Sequence, residues 1–283
     1  MKLHASPGLI GLALLSVGIA VLTQPAPLPA APATKPTRAE KEKQEAEAIA
    51  KNAGLSELTG EGTPLKAGQK IAIFGDSVTM QGGYIRMMRK ALALSDHTKE
   101  LKVTILQHGL NGGRVPTVLE GKSPWGKLGG TMQELLARDK PVVVVIYLGI
   151  NDVWHGEKGT TAEDFRAGLE KMIDLAGAVP AKVVLATPTT IGEKPDGSNP
   201  HDKKLDEYSQ IARDVAKARG CTLVDLRKAF LDYLGQHNPK DEKGQYKRSG
   251  TLTYDGVHML PAGNNLLADH ISRGIVRALK AEK

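Results

Sequence analysis

One cysteine, Cys221, stands in a chain of 283 residues, so no intramolecular disulfide can form and stability has to come from a packed core. Lipid attachment at a cysteine near the N-terminus is excluded for the same reason. No Cys/His cluster has the spacing of a zinc finger or ribbon, and Cys221, opening the apolar stretch CTLVDL, reads as a buried strand residue rather than a catalytic thiol. Aromatic residues make up 4% of the chain and no arginine-rich arm accompanies them, which argues against nucleic acid as a partner. The formal charge of +7 is carried by lysines scattered among Asp and Glu, a pattern that supports only a weak association with acidic polymers or membrane surfaces. GKS at 121–123 has Pro116 where a Walker loop needs glycine, and no glycine-rich fingerprint follows the first predicted strand, so no nucleotide cofactor is expected.

Long apolar runs are scarce as well. GLIGLALLSVGIAVL, Gly8 to Leu22, has 15 residues, short of the roughly 18 that a membrane-spanning helix needs. Lys2 precedes it and the small residues of TQPAPLPAAPA follow. Residues 1–33 therefore read as a secretory signal cleaved near Ala30 or Ala33, with an uncleaved N-terminal anchor as the alternative. The location this implies is export, periplasmic or extracellular. Residues 34–64 read as a spacer, Ala/Pro-rich up to Pro36 and then charged, in which the strong helix formers of RAEKEKQEAEAIAK from Arg38 to Lys51 make either a short helix laid against the domain or a solvated link. Residues 65–283 remain as the folded domain.

Within that domain, strand-like and helix-like segments alternate. Strands are predicted over Lys70 to Phe74, Lys102 to Gln107, Val142 to Leu148, Lys182 to Thr187 and Thr222 to Asp225. Helices are predicted over Tyr84 to Leu94, Met132 to Ala137, Ala162 to Gly177, Lys203 to Arg219 and Gly263 to Leu279. VVVVIYL is apolar throughout rather than alternating, as a central strand buried on both faces would be. The class is α/β, a mainly parallel sheet covered by helices on both faces, in which ligands bind beyond the carboxyl ends of the strands.

The residues just after the predicted strands are therefore the ones to inspect. Gly75-Asp76-Ser77 follows the first, GLNGG from Gly109 to Gly113 the second, and Gly149-Ile150-Asn151-Asp152 the third; YDGVHMLPAG precedes the last helix. A serine at a strand-to-helix turn is either a helix cap or a nucleophile. His258 supplies a base for Ser77, and Asp255, three residues earlier, can fix its tautomer; an Asp-x-x-His pair also occurs in surface loops and metal sites. A developing oxyanion needs fixed donors, which the Gly112 backbone N–H, the Asn151 amide and the Ser77 N–H can provide. Turn formation and loop capping are the plainer roles for Gly112 and Asn151. Asp76 and Asp152 read as loop-organising acceptors. His108 and His155 are rival bases on the same rim, Trp125 and Trp154 either stack on a substrate or are buried, and Arg114 has no evident partner.

The four blocks in this order resemble the SGNH hydrolases, the GDSL-type esterases and lipases. GDS carries Ser77, HGLNGG carries Gly112 with Gly113 as the alternative donor, GIND carries Asn151, and DGVH carries Asp255 and His258. The first block reads GDSV rather than GDSL, and Gln107-His108-Gly109 stands where an Asn-x-Gly lead-in is common. The resemblance implies a three-layer α/β/α sandwich, flavodoxin-like, with about five strands. It also implies metal-free ester hydrolysis by Ser77, His258 and Asp255, with Gly112 and Asn151 holding the oxyanion. The expected substrate is a small acyl ester, an O-acetyl carbohydrate ahead of a lipid, lysophospholipid or thioester. A noncatalytic glycan-binding or wall-associated protein is the reading from a different class.

Overall fold

Five apolar runs become five parallel strands in the computed structural model, which describes residues 38–281. The signal or anchor expected in residues 1–33 lies outside the described residues. Two helices come first, α1 (Arg38–Lys51) and α2 (Ala53–Thr59), followed by β1 (Lys70–Gly75), α3 (Ser77–Gln81), α4 (Gly83–Leu94), β2 (Thr104–Gly109) and α5 (Val115–Leu119). A short hairpin, β3 (Lys122–Ser123) and β4 (Gly126–Lys127), precedes α6 (Met132–Asp139), β5 (Val143–Tyr147), α7 (Ile150–Trp154), α8 (Ala162–Gly177) and β6 (Lys182–Ala186). The order ends with α9 (Asp202–Ala218), β7 (Thr222–Val224), α10 (Leu226–His237) and α11 (Pro261–Lys280).

The main sheet runs β2-β1-β5-β6-β7 with every neighbouring pair parallel. All five residues of β5 are buried, as the unbroken run of β-branched side chains requires of a strand covered on both faces. On one side α11 packs on β5, β6, β7 and α4, while α8 and α9 pack against each other and against β6. Three layers result. β1 is flanked by β2 on one side and β5 on the other, so the chain reverses its direction across the sheet between them. At such a reversal the loops part and leave a crevice at the carboxyl ends. Ser77 follows β1 and Asn151 follows β5, which places both at that crevice.

Three features depart from the sequence reading. β2 begins at Thr104, not Lys102, because Lys102 takes a left-handed φ of 52° that closes a 3-10 turn. The strand then continues through His108, whose ring is buried, stacked on Phe74 at 4.7 Å and bonded through Nε2 to Asp139 Oδ2 at 2.9 Å. His108 is thus a core residue with its own acid partner, not a rival base on the rim. Cys221 sits half-buried just ahead of β7, and burial pushes its thiol pKa up.

The segment expected as a spacer carries α1 and α2. In α2, Leu55 and Leu58 are buried, the Asn52 amide donates to the Asn265 carbonyl at 2.9 Å, and the Gly54 N–H donates to Asp269 Oδ1 at 2.7 Å. A Cβ on Gly54 would lie 2.1 Å from the Asp269 carbonyl oxygen, so only glycine lets α2 approach α11 this closely. From Asn52 onward the chain is part of the packed domain.

Candidate active site

Asp76 ends the first turn of backbone after β1 by capping α3, its Oδ1 accepting the Val78 N–H at 2.9 Å. Ser77 is the first residue of α3, where a backbone N–H has no intrahelical acceptor. Its Oγ lies 2.9 Å from His258 Nε2. The other ring nitrogen, Nδ1, lies 2.7 Å from Asp255 Oδ2, and Asp255 Oδ1 accepts the N–H groups of Val257 and His258 at 2.9 and 2.8 Å. Burial alone would raise the Asp255 carboxyl, but the His258 ring and the two backbone donors outweigh it and hold it below the usual carboxylate range. An ionised Asp255 accepts the Nδ1 proton, which leaves Nε2 with a free lone pair facing the serine hydroxyl.

The candidate oxyanion donors lie across the crevice. Gly112 has a left-handed φ of 62°, and a Cβ there would meet the Trp125 ring at 2.2 Å. The N–H of Gly113 is already given to the Leu110 carbonyl at 2.8 Å. Asn151 Nδ2 donates one proton to the Gly113 carbonyl at 3.2 Å, leaving the second N–H of the amide for another acceptor. A cleft of roughly 450 Å³ joins these groups, lined by Ser77, Gly112, Asn151, His258 and the two tryptophans. We expect Gly112→Ala to lower kcat/KM at least tenfold, since the added carbon displaces the indole and strains the backbone by about 1–2 kcal/mol. Steady-state kinetics with a tryptophan-fluorescence spectrum would check both parts.

Two buried carboxyls brace the loops. Asp152 Oδ1 accepts the Val115 N–H at 3.1 Å and the Thr160 hydroxyl at 2.6 Å, tying the Asn151 loop to α5 and to the segment before α8; burial pushes its pKa up to about 6. Burial likewise pushes Asp76 up to about 7, offset in part by the Val78 N–H and the nearby His258, and neighbouring Asp152 adds to the rise. Because the folded value lies above the ordinary 3.8, the stabilising term is complete below about pH 4 and is lost as pH rises through 7. That difference corresponds to about 4 kcal/mol. Asp76→Asn keeps the oxygen that caps α3 and removes the charge, so its melting temperature should fall less between pH 5 and 8 than that of the unaltered protein. Thermal unfolding at both pH values measures it.

Some residues stand elsewhere than the sequence implies, and others carry no signal in it. Arg114 is not simply solvated, for its guanidinium donates to the Lys158 carbonyl at 2.9 Å. Trp125 and Trp154 are exposed on the cleft rather than buried, and His155 stacks on Trp125. Tyr254 stacks over the His258 ring at 5.7 Å and accepts a bond from Gln81 Nε2 at 3.1 Å. Glu193, fully buried, accepts the N–H groups of Thr251, Leu252 and Thr253 and the Thr253 hydroxyl, at 2.5 to 2.8 Å. It fastens the start of the loop that carries Asp255 and His258.

A hydroxyl, an imidazole and an ionised carboxylate bonded in series at the carboxyl edge of a parallel sheet define a serine hydrolase. Residues 73–266 match the model of the GDSL-like Lipase/Acylhydrolase family. The chain belongs to that family and is a serine ester hydrolase acting on small acyl esters. It is similar to an acetylxylan esterase from Geobacillus stearothermophilus, 25% identical over 232 residues that span 74% of this chain and 94% of that protein. It is also similar to the human isoamyl acetate-hydrolyzing esterase 1 homolog, 24% identical over 241 residues, 77% of this chain and 85% of that one. Among solved structures, the acetyl xylan esterase AlAXEase superimposes with a TM-score of 0.59 at 32% identity, covering 71% of this chain and 97% of its own.

Proposed function

We propose that the protein removes acetyl groups from O-acetylated carbohydrate, with Ser77 as nucleophile, His258 as general base and then acid, and Asp255 as the group that orients His258. The observation that carries this reading is the unbroken series of bonds from Ser77 Oγ through the imidazole to Asp255, 2.9 and 2.7 Å long. In the proposed cycle Nε2 takes the hydroxyl proton as Oγ attacks the acetyl carbon. The carbonyl oxygen becomes negative and is held by the N–H groups of Gly112 and Ser77 and by the Asn151 amide. Gly112 is favoured over Gly113 because the Gly113 N–H is spent on Leu110. The intermediate then collapses, the bond from acyl carbon to sugar oxygen breaks as protonated His258 gives that oxygen its proton, and water attacks the acetyl-Ser77 ester in the same way to release acetate.

Support for acetate over longer acyl groups, and for a saccharide alcohol, comes from the relatives that carry the acetylxylan esterase name. The test is a series of acetyl, butyryl and octanoyl esters together with acetylated xylan, combined with peptide mapping of a serine-directed phosphonate. Acetate release from the xylan, a steep fall beyond butyryl and labelling at Ser77 are expected; preference for octanoyl would reject the deacetylase reading. We further propose export, on the strength of Lys2 and the apolar run from Gly8 to Leu22, with weak attraction of the +7 chain to acidic polymers or membranes. N-terminal sequencing of secreted protein, and salt-dependent retention on an acidic resin, address those two points.

A further inference from the structure

Both tryptophans of the chain line the cleft over Ser77, and both are exposed, Trp125 at 60% and Trp154 at 39%. In a chain so poor in aromatics, two indoles left in water beside one serine mark a surface built for contact. Neither ring hangs on a loose loop. Trp125 follows Pro124 at the tip of the β3–β4 hairpin, its backbone N–H donating to Ser123 Oγ at 3.1 Å, and that hydroxyl donates to the Asn111 carbonyl at 2.7 Å. The tip is thereby fixed to the loop that carries Gly112. Trp154 closes α7 three residues after Asn151, a spacing that sets both side chains on one face of the helix. Each indole has a nearly parallel imidazole beside it, His155 at 6.0 Å from Trp125 and His201 at 6.1 Å from Trp154.

We propose that Trp125 and Trp154, with His155, form a subsite for the sugar ring, holding an acetylated pyranose over Ser77. The inference rests on the deacetylase reading above and deepens it. A pyranose offers a flat face of C–H groups and a rim of hydroxyls. An indole ring packs on the first, while its N–H and a neighbouring imidazole reach the second. A fatty acyl chain has no rim to satisfy and would be served by an enclosed apolar channel instead.

The test compares Trp125→Ala and Trp154→Ala on an acetylated xylooligosaccharide and on ethyl acetate, which has no ring to stack. The loss of kcat/KM should be at least tenfold larger for the saccharide, arising mainly in KM. Equal losses on both esters would overturn the proposal, as would a larger loss on an octanoyl ester than on the saccharide. A binding arm separates this outcome from the fate of the esterase reading. Xylotetraose titrated into Ser77→Ala by calorimetry should bind, and adding Trp125→Ala should weaken it tenfold or more. If ethyl acetate is cleaved and acetylated saccharides are not, the deacetylase reading fails on its own. If xylotetraose does not bind, the subsite fails on its own.

Discussion

Ser77→Ala should lower kcat by about 10⁴-fold or more while the protein stays folded. The hydroxyl makes one hydrogen bond, to His258 Nε2, and stands at the first position of α3, where alanine is well tolerated. Its removal therefore takes away the proposed attacking atom without opening a cavity, and a melting temperature within a few degrees of the unaltered protein is expected. What survives is the small rate that oxyanion donors and binding supply to attack by water. Asp255→Asn should come close to it by a different route. An amide at that position can donate to Nδ1 instead of accepting from it, which moves the ring proton to Nε2 and leaves no lone pair facing the serine. A Ser77→Ala protein with unchanged turnover in a purified single-turnover assay would remove the nucleophile assignment altogether.

Much of this site is legible in the amino-acid sequence, and the reason is geometric. A parallel sheet gathers the residues after its strands at one edge, so Ser77 and Asn151 were bound to meet once VVVVIYL had been recognised as a central strand. Asp255 and His258 are three residues apart, and their pairing needs only one turn of loop. Residues whose roles depend on long-range partners left no such trace. His108 reads as a rim base when β2 is ended at Gln107, two residues short; the strand runs on to Gly109, takes in His108 and brings its ring to Asp139. Trp125 belongs to a hairpin of two-residue strands, too short to show any periodicity. The helix from Leu226 to His237 is capped by Asp225, whose side chain accepts the Lys228 N–H, and from the sequence alone that cap reads as the last residue of the preceding strand.

Glu193 is the sharpest case, since nothing in TPTTIGEK separates a buried carboxylate from an exposed one. Its four donors come from residues about sixty positions away in the chain. Two further bonds join the same two segments, the Glu193 N–H to the Arg248 carbonyl at 3.0 Å and the Gly192 N–H to the Gly256 carbonyl at 2.8 Å. The next turn of that loop holds Asp255 and His258, so we expect the Glu193 side chain to set where the imidazole sits relative to Ser77. Glu193→Ala strands four donors, three of them buried, at roughly 1–3 kcal/mol for each buried one. The total is comparable with the whole stability of an ordinary domain, and this variant should fail to accumulate as folded protein. Glu193→Gln keeps one accepting oxygen and turns an N–H towards a donor, costing about 2–3 kcal/mol. It should fold, melt several degrees lower and lose about 100-fold in kcat, because catalytic groups displaced by an ångström lose that much. The readout that isolates positioning from stability is kcat measured well below the melting transition. A Glu193→Gln protein that melts early yet turns over normally at low temperature would reduce Glu193 to a structural tie, whereas a large kcat deficit there, with KM little changed, makes it the residue that holds His258 in line with Ser77.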